Sequence, residues 1–82
     1  QLARRAAGLG EPRGELLLGY IYFLGIGLIK DDERAVYWYK MAESKGCARA
    51  MSNLGGMYQY GLGVKMDLKE GLKYYRLAAE RN

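Results

Sequence analysis

The sequence predicts an all-α fold made of helix-turn-helix repeats, and three observations carry this prediction. The stretch YFLGIGLIKD at Tyr22–Asp31 recurs as YQYGLGVKMD at Tyr58–Asp67, which sets a 36-residue period. Small and apolar residues around both stretches follow the helical spacing i, i+3, i+4 and i+7. Each stretch also contains two glycines and ends on an aspartate suited to start a helix. The period divides the chain into residues 1–9 (the C-terminal end of the second helix of a preceding repeat), 10–45 (repeat one) and 46–82 (repeat two).

The first helix of each repeat is predicted at about 13–24 and about 48–60. Its inner face carries matching residues in the two repeats: Gly14, Leu18, Ile21 and Tyr22, then Ala50, Leu54, Met57 and Tyr58. Gly19 and Gly55 lie in the middle of these helices, where glycine costs about 1 kcal/mol relative to alanine. Because this cost recurs at the same position, we expect another helix backbone to pass there, too close for a Cβ atom.

The paired glycines are predicted to form the turn between the two helices of a repeat. Gly25 and Gly61 end the first helix and allow a positive φ, which a bulky residue tolerates poorly. A Gly-x-Gly pair also occurs in phosphate-binding loops, but the dinucleotide motif needs a preceding strand and a third glycine. Here a helix precedes each pair, and Lys30 and Met66 stand where the third glycine would be. The turn is therefore favoured over a phosphate site.

The second helix of each repeat is predicted to begin after Asp31 or Asp67, whose carboxylate can cap the first turn. In repeat one it ends at Gly46, which permits a left-handed C-terminal cap. Its apolar stripe consists of Ala35, Trp38, Tyr39 and Ala42 in repeat one, and of Gly71, Tyr74, Tyr75 and Ala78 in repeat two. The four aromatic residues of this stripe are predicted to lie in the core.

Composition limits the chemistry that this chain can perform. Its 82 residues suit one small domain, with a net charge of +4, no histidine and a single cysteine, Cys47. A disulfide within the chain, a Ser–His or Cys–His catalytic pair and a Cys/His zinc site are all excluded, so we expect no enzyme activity, metal or cofactor. The longest uncharged run, Leu16–Ile29, is interrupted by glycines, so we expect no membrane partner. One cysteine is compatible with the cytoplasm but does not determine the compartment.

Repeat two contains a composite pattern: Gly46-x-Ala48-x-Ala50-x-x-x-Leu54-Gly55-x-x-Tyr58-x-x-Gly61-x-Gly63-Val64-x-x-Asp67, then Tyr74-Tyr75-x-x-Ala78-Ala79. Repeat one carries it too, with Trp38-Tyr39 as the aromatic pair. This pattern resembles the Sel-one-like repeat (SLR) family, an α-solenoid relative of tetratricopeptide repeats, with departures at Gly14, Glu43 and Gly71, where the family has small alanines. The resemblance implies a right-handed α-α superhelix, or solenoid, and a role as a scaffold or adaptor that holds other proteins.

A partner is expected on the outer face of the first helices, because stacked repeats expose one helix of each unit along a concave surface. The predicted peptide-binding groove consists of Arg13, Leu16, Tyr20, Phe23, Leu24, Arg49, Ser52, Gln59 and Tyr60. In repeat one this face is apolar, and a helix that is apolar on all sides is normally covered. The cover is a preceding repeat, a second copy of the chain or a bound peptide, and the sequence does not choose among them.

Two kinds of basic residue bear on the nature of the partner. Arg13 and Arg49 occupy the same position in the two repeats, and two guanidinium groups can pair with a carboxylate or an acidic peptide side chain. Exposed arginines are more often simply solvated. A separate stripe on the last loop and helix is formed by Lys65, Lys69, Lys73 and Arg76. Because this stripe could follow a phosphate backbone, binding of nucleic acid or another polyanion is the alternative function. Glu70 interrupts the stripe, however, and a solvated helix face is the favoured interpretation.

Overall fold

The computed structural model describes residues 12–27 and 29–81, which form four α-helices: α1 (Pro12–Leu24), α2 (Asp32–Ser44), α3 (Ala48–Tyr60) and α4 (Leu68–Arg81). Helices α1 and α2 pack as one hairpin, α3 and α4 pack as a second, and α3 also packs on α2. The predicted all-α solenoid of helical repeats is confirmed. No helix within these residues has both the length and the apolar character needed to cross a bilayer. The predicted helix end at residues 1–9 lies outside the described residues.

The turn within each hairpin has the same hydrogen bonds and the same backbone conformation in both repeats. Gly25 and Gly61 have φ angles of 71° and 67°, in the left-handed region that favours glycine. In repeat one the Asp31 N–H donates to the Tyr22 carbonyl at 2.9 Å. In repeat two the Asp67 N–H donates to the Tyr58 carbonyl, also at 2.9 Å. The Gly-x-Gly pairs are therefore helix-to-helix turns, as the sequence predicts.

The aspartate that ends each turn caps the helix that follows it. The Arg34 N–H donates to Asp31 Oδ1, and the Glu70 N–H donates to Asp67 Oδ1, both at 3.1 Å. Each bond satisfies one of the N–H groups that a helix leaves unpaired in its first turn. At the other end of α2, Gly46 has a φ of 87°, so the predicted left-handed glycine lies just after this helix.

The core lies where α2 meets α1 and α3. Tyr39 and Leu54 are its largest fully buried side chains, at 1% and 0% exposure. The other members of the buried cluster are small or flexible: Ala35, Val36, Ala42, Ala50 and Met57. The Tyr39 ring also meets Tyr20 edge to face, with ring centroids 5.9 Å apart, a favoured arrangement for aromatic pairs.

The aromatic stripe of the second helices does not lie uniformly in the core. Tyr39 is buried as predicted, but Trp38 and Tyr74 are only half-buried. Tyr75 is 38% exposed, so placing it in the core was wrong. Tyr39 and Tyr75 occupy the same position in the two repeats. Their different burial follows from their neighbours, because α3 packs on α2 whereas none of the described helices packs on the corresponding face of α4.

The mid-helix glycine of each hairpin makes room for the equivalent tyrosine ring of the second helix, and in repeat two also for its backbone. A Cβ atom on Gly19 would overlap the Tyr39 ring, so the expected helix backbone at this site is wrong and a side chain lies there instead. In repeat two a Cβ atom on Gly55 would lie 2.9 Å from the Tyr75 ring and 3.1 Å from the Gly71 carbonyl oxygen, so the expected helix backbone is present there beside a side chain. A Cβ atom on Gly71 would lie 2.9 Å from the Gly55 carbonyl oxygen and 3.3 Å from the Gln59 nitrogen, both backbone atoms of α3.

We expect Gly71→Ala to destabilise the protein by about 1–2 kcal/mol, because the strain of separating α3 from α4 exceeds the roughly 1 kcal/mol gained in helix propensity. Gly56→Ala is the matched control, since a Cβ atom there meets nothing nearer than the Tyr75 hydroxyl at 3.5 Å. It should gain up to about 1 kcal/mol. Urea unfolding followed by circular dichroism gives both values. Equal stability of the two variants would contradict the close approach of these helices.

Candidate functional site

One concave feature, which we call the central groove, lies between α1 and α3 and has a volume of about 380 Å³. Its lining is mostly apolar and aromatic: Tyr20 and Phe23 from α1, Tyr39 from α2, Ser52, Asn53, Gly56, Met57 and Tyr60 from α3, then Leu62 and Tyr75. Such a volume is within the range of ordinary ligand pockets. It lies on the first-helix surface, where the sequence places a peptide groove.

The helical spacing explains how these side chains converge. Tyr20 and Phe23 are three residues apart on α1, so they share one face of that helix, and Asn53, Gly56 and Tyr60 do so on α3. Gly56 occupies the position in repeat two that Tyr20 occupies in repeat one. Repeat one therefore provides an aromatic wall of the groove. Repeat two leaves open space opposite it, because Gly56 has no side chain.

The floor of the groove is neutral and its edges carry polar groups. Burial raises the pKa of the Tyr39 hydroxyl well above its usual value, with smaller contributions from Tyr20 and Asp32, so this group stays protonated at physiological pH. At one edge, the Tyr75 hydroxyl donates to Gln59 Oε1 at 2.9 Å. At another, the Lys30 ammonium lies 4.6 Å from the centroid of the Phe23 ring, within cation–π range.

Beside the central groove, a polar depression of about 420 Å³ lies at the start of α3. It is lined by Tyr20, Ala48, Arg49, Ser52, Asn53 and Ala78. Tyr20, Ser52 and Asn53 also line the central groove, so the two spaces adjoin. A ligand that occupies the groove can therefore extend toward the Arg49 guanidinium.

The structure separates the nine predicted groove residues into several places. Tyr20, Phe23, Ser52 and Tyr60 lie together in the central groove, and Arg49 lines the adjoining polar depression. Gln59 lines a smaller apolar depression of about 290 Å³ against α4. Arg13 and Leu16 line a separate depression with Lys45, Gly46 and Cys47, near the α2–α3 turn. Leu24 is 60% exposed and lines none of these four spaces.

The apolar outer face of repeat one is less exposed than the sequence suggests. Leu16, Tyr20 and Phe23 are half-buried and pack against the buried cluster. Part of the expected cover is thus supplied by the chain itself. Tyr60, at 68% exposure, is the most exposed aromatic residue of the central groove.

Sequence reasoning missed several residues of the groove. Tyr39, Met57 and Tyr75 are assigned to the core by their helical phase, yet each also contributes surface to the groove. Leu62 belongs to a turn, and its direction is not set by helix periodicity. Asn53 offered a usable signal, because it is a polar residue at the position where repeat one has Leu17.

Comparison with known proteins agrees with this architecture. The Sel1 repeat matches residues 12–47 and 48–82 of the chain. The ERAD-associated E3 ubiquitin-protein ligase component HRD3B of Arabidopsis thaliana is 38% identical over 76 residues, which cover 93% of this chain and 13% of that protein. The chain therefore spans only a small part of such a curated relative.

Two solved structures share the fold over almost the whole chain. One is a protective antigen of uropathogenic Escherichia coli strains displaying an SLR fold, with a TM-score of 0.93 and 48% identity over 96% of this chain and 17% of that one. The other is a Sel1 repeat protein from Oxalobacter formigenes, with a TM-score of 0.94 and 31% identity over 98% of this chain and 61% of that one. Two matched repeats and this shared fold lead to one conclusion: the chain belongs to the Sel1 repeat family.

Proposed function

We propose that this chain is a non-catalytic scaffold module that holds a peptide segment of a partner protein in the central groove. The observation that carries the proposal is the groove itself, a concave and mainly apolar space between the first helices of the two repeats. Stacked repeats create surfaces of this kind, and extended segments bind to them through apolar side chains.

The aromatic residues of the groove suit this role. Tyrosine and phenylalanine offer large contact areas with few rotatable bonds, and aromatic residues dominate the energetics of many protein interfaces. Tyr20 and Phe23 are held in place by their packing on the core, whereas Tyr60 stands largely in solvent at the rim. Tyr20 and Phe23 thus form a fixed wall of the groove, and the accessible side chain of Tyr60 can pack over a bound ligand.

The relatives support a role in assemblies. The matched Arabidopsis protein is described as a component of an E3 ubiquitin-protein ligase, and thus acts as part of a larger complex. We extend to this chain only the general role of contacting other proteins, because the matched region covers 13% of that relative.

The test begins with purified chain and a display library of random twelve-residue peptides. The selected peptides are then measured by fluorescence polarization against wild type and Tyr60→Ser. We expect Tyr60→Ser to weaken binding at least tenfold, on the order of an interface hot spot, because it removes the exposed aromatic ring from the groove. Helix content should not change, since Tyr60 is 68% exposed.

Tyr37→Ser provides the matched control. Tyr37 is 57% exposed on α2 and lines none of the four depressions described above. It should bind the selected peptides as wild type does. The proposal is contradicted if no peptide is selected, or if both substitutions weaken binding equally.

Polyanion binding remains the second candidate because Lys65, Lys69, Lys73 and Arg76 are all exposed. None of them belongs to an ion pair that the structure shows among residues 12–27 and 29–81. If these four groups contact phosphates, affinity for a labelled oligonucleotide should fall about a hundredfold between 50 and 200 mM salt. Peptide binding in an apolar groove should change far less over the same range.

A further inference from the structure

The polar depression at the start of α3 differs in chemistry from the central groove that it adjoins. Tyr20, Arg49, Ser52 and Asn53 supply hydrogen-bond donors to this depression, and none of the described residues that line it is acidic. Arg49 is exposed, and it takes part in none of the ion pairs found within the described ranges. This corner of the binding surface is therefore positive and rich in donors.

Asn53 gives a second, independent indication of a ligand. Its Nδ2 atom is buried from solvent and has no hydrogen-bond partner among the residues that the structure describes. Buried donors without a partner are rare in native structures, so each one calls for an explanation. Because this donor has no partner to give up, turning the side chain toward a ligand breaks no hydrogen bond of Nδ2. The residue lines both the groove and the depression, so an acceptor bound at their junction can use it.

We propose that the groove takes an extended peptide that places an apolar side chain between Phe23 and Tyr60 and an Asp or Glu carboxylate on Arg49 and Asn53. The proposal rests on the peptide-binding function above and adds the chemistry of the partner. A guanidinium and an amide N–H together match a carboxylate in charge and in hydrogen bonding. A side-chain carboxylate suits the recessed Nδ2 donor better than a chain terminus, because it projects below the peptide main chain.

The distance between the two subsites sets the spacing of the motif. Asn53 and Tyr60, which belong to the acidic and the apolar subsite respectively, are separated by seven helical residues. At about 1.5 Å per residue this is about 10 Å along α3. An extended peptide rises about 3.3 Å per residue, so the acidic and apolar side chains should be about three residues apart.

The test uses labelled, C-terminally amidated peptides of Gly and Ser that carry one Phe and one Glu at spacings from one to six residues. Fluorescence polarization with the 82-residue chain should show the tightest binding near a spacing of three. Replacing Glu by Gln in that peptide should weaken binding about tenfold, the usual scale for losing a charge-assisted contact. Arg49→Gln should weaken the Glu peptide by a similar factor and leave the Gln peptide unchanged.

Two protein variants make the result specific. Arg13→Gln removes the same charge at the same position of repeat one, but Arg13 lines a different depression, so neither peptide should be affected. Asn53→Leu copies Leu17 of repeat one and should weaken the Glu peptide several-fold. Circular dichroism of each variant confirms that the helices remain folded.

Each alternative outcome has a defined meaning. If the Gln peptide binds as tightly as the Glu peptide while Tyr60→Ser still weakens both, the carboxylate site is overturned and the groove function stands. If a peptide without Glu but with a free C-terminus at the same spacing binds as tightly, the side-chain assignment is overturned. If no peptide binds at any spacing and the display library also yields none, both proposals fail together.

Discussion

Replacing Tyr39 with alanine is expected to cost about 3–5 kcal/mol, which is the range for removing a large buried aromatic side chain. Tyr39 is 1% exposed, fills the space beside Gly19 and contacts Tyr20 edge to face. A chain of this size has a total stability of only about 4–12 kcal/mol. Urea and thermal unfolding followed at 222 nm should therefore show a large loss of folded protein.

Tyr75→Ala removes the same atoms at the same position of repeat two, where the side chain is 38% exposed. It should cost much less, about 1 kcal/mol, because little new cavity is created. Tyr39→Phe, which keeps the ring, provides a folded reference if Tyr39→Ala does not fold. A loss for Tyr75→Ala as large as that for Tyr39→Ala would contradict the assignment of the core to the α2 side of the molecule.

Lys45→Met is expected to be the second most damaging substitution, at about 3 kcal/mol. The Lys45 ammonium lies 2.8 Å from Glu15 Oε2, and the Glu15 side chain is 4% exposed against 35% for Lys45. Glu15 Oε1 is also buried, with no hydrogen-bond partner within the described part of the chain. Removing the cation leaves a buried carboxylate without a compensating charge, and in comparable buried pairs this loss costs several kcal/mol. Because Lys45 is partly exposed, we expect a cost at the lower end of that range.

The double variant Glu15→Met with Lys45→Met separates charge from packing. Repeat two has Met51 at the position of Glu15, and that methionine is buried at 3% exposure, so the site can hold an apolar side chain. We expect the double variant to return to within about 1 kcal/mol of wild type, since apolar replacement of a buried ion pair is often neutral. Urea unfolding at neutral pH measures both proteins. If the double variant is as unstable as Lys45→Met, the role of Lys45 is not to neutralise Glu15.

Both predictions bear on the groove as well as on stability. Tyr39 forms its floor and supports Tyr20, so substitutions at Tyr39 should change peptide binding together with folding. Neither Glu15 nor Lys45 lines the central groove, and Lys45 lines the separate depression with Arg13 and Leu16. Restoring stability with the double variant should therefore leave peptide affinity unchanged.

The local structure of this protein can be predicted from its amino-acid sequence alone. The 36-residue period located four helices, the caps at Asp31 and Asp67, and the turns at Gly25 and Gly61. These features depend on contacts within one or two helical turns, such as a carboxylate that accepts an N–H three residues on, or a φ angle that only glycine adopts easily. Residue type and spacing are sufficient to predict them.

Which of two equivalent positions is buried depends instead on how the helices pack on one another. Val36 is 5% exposed whereas Leu72 is 57% exposed, although they stand 36 residues apart at the same position of the repeat. The difference arises because α3 packs on α2. The same packing places Tyr20 of repeat one beside the open space at Gly56 of repeat two. Burial and groove shape depend on neighbours that are distant along the chain, and a pattern within one helix carries no information about how closely those neighbours approach.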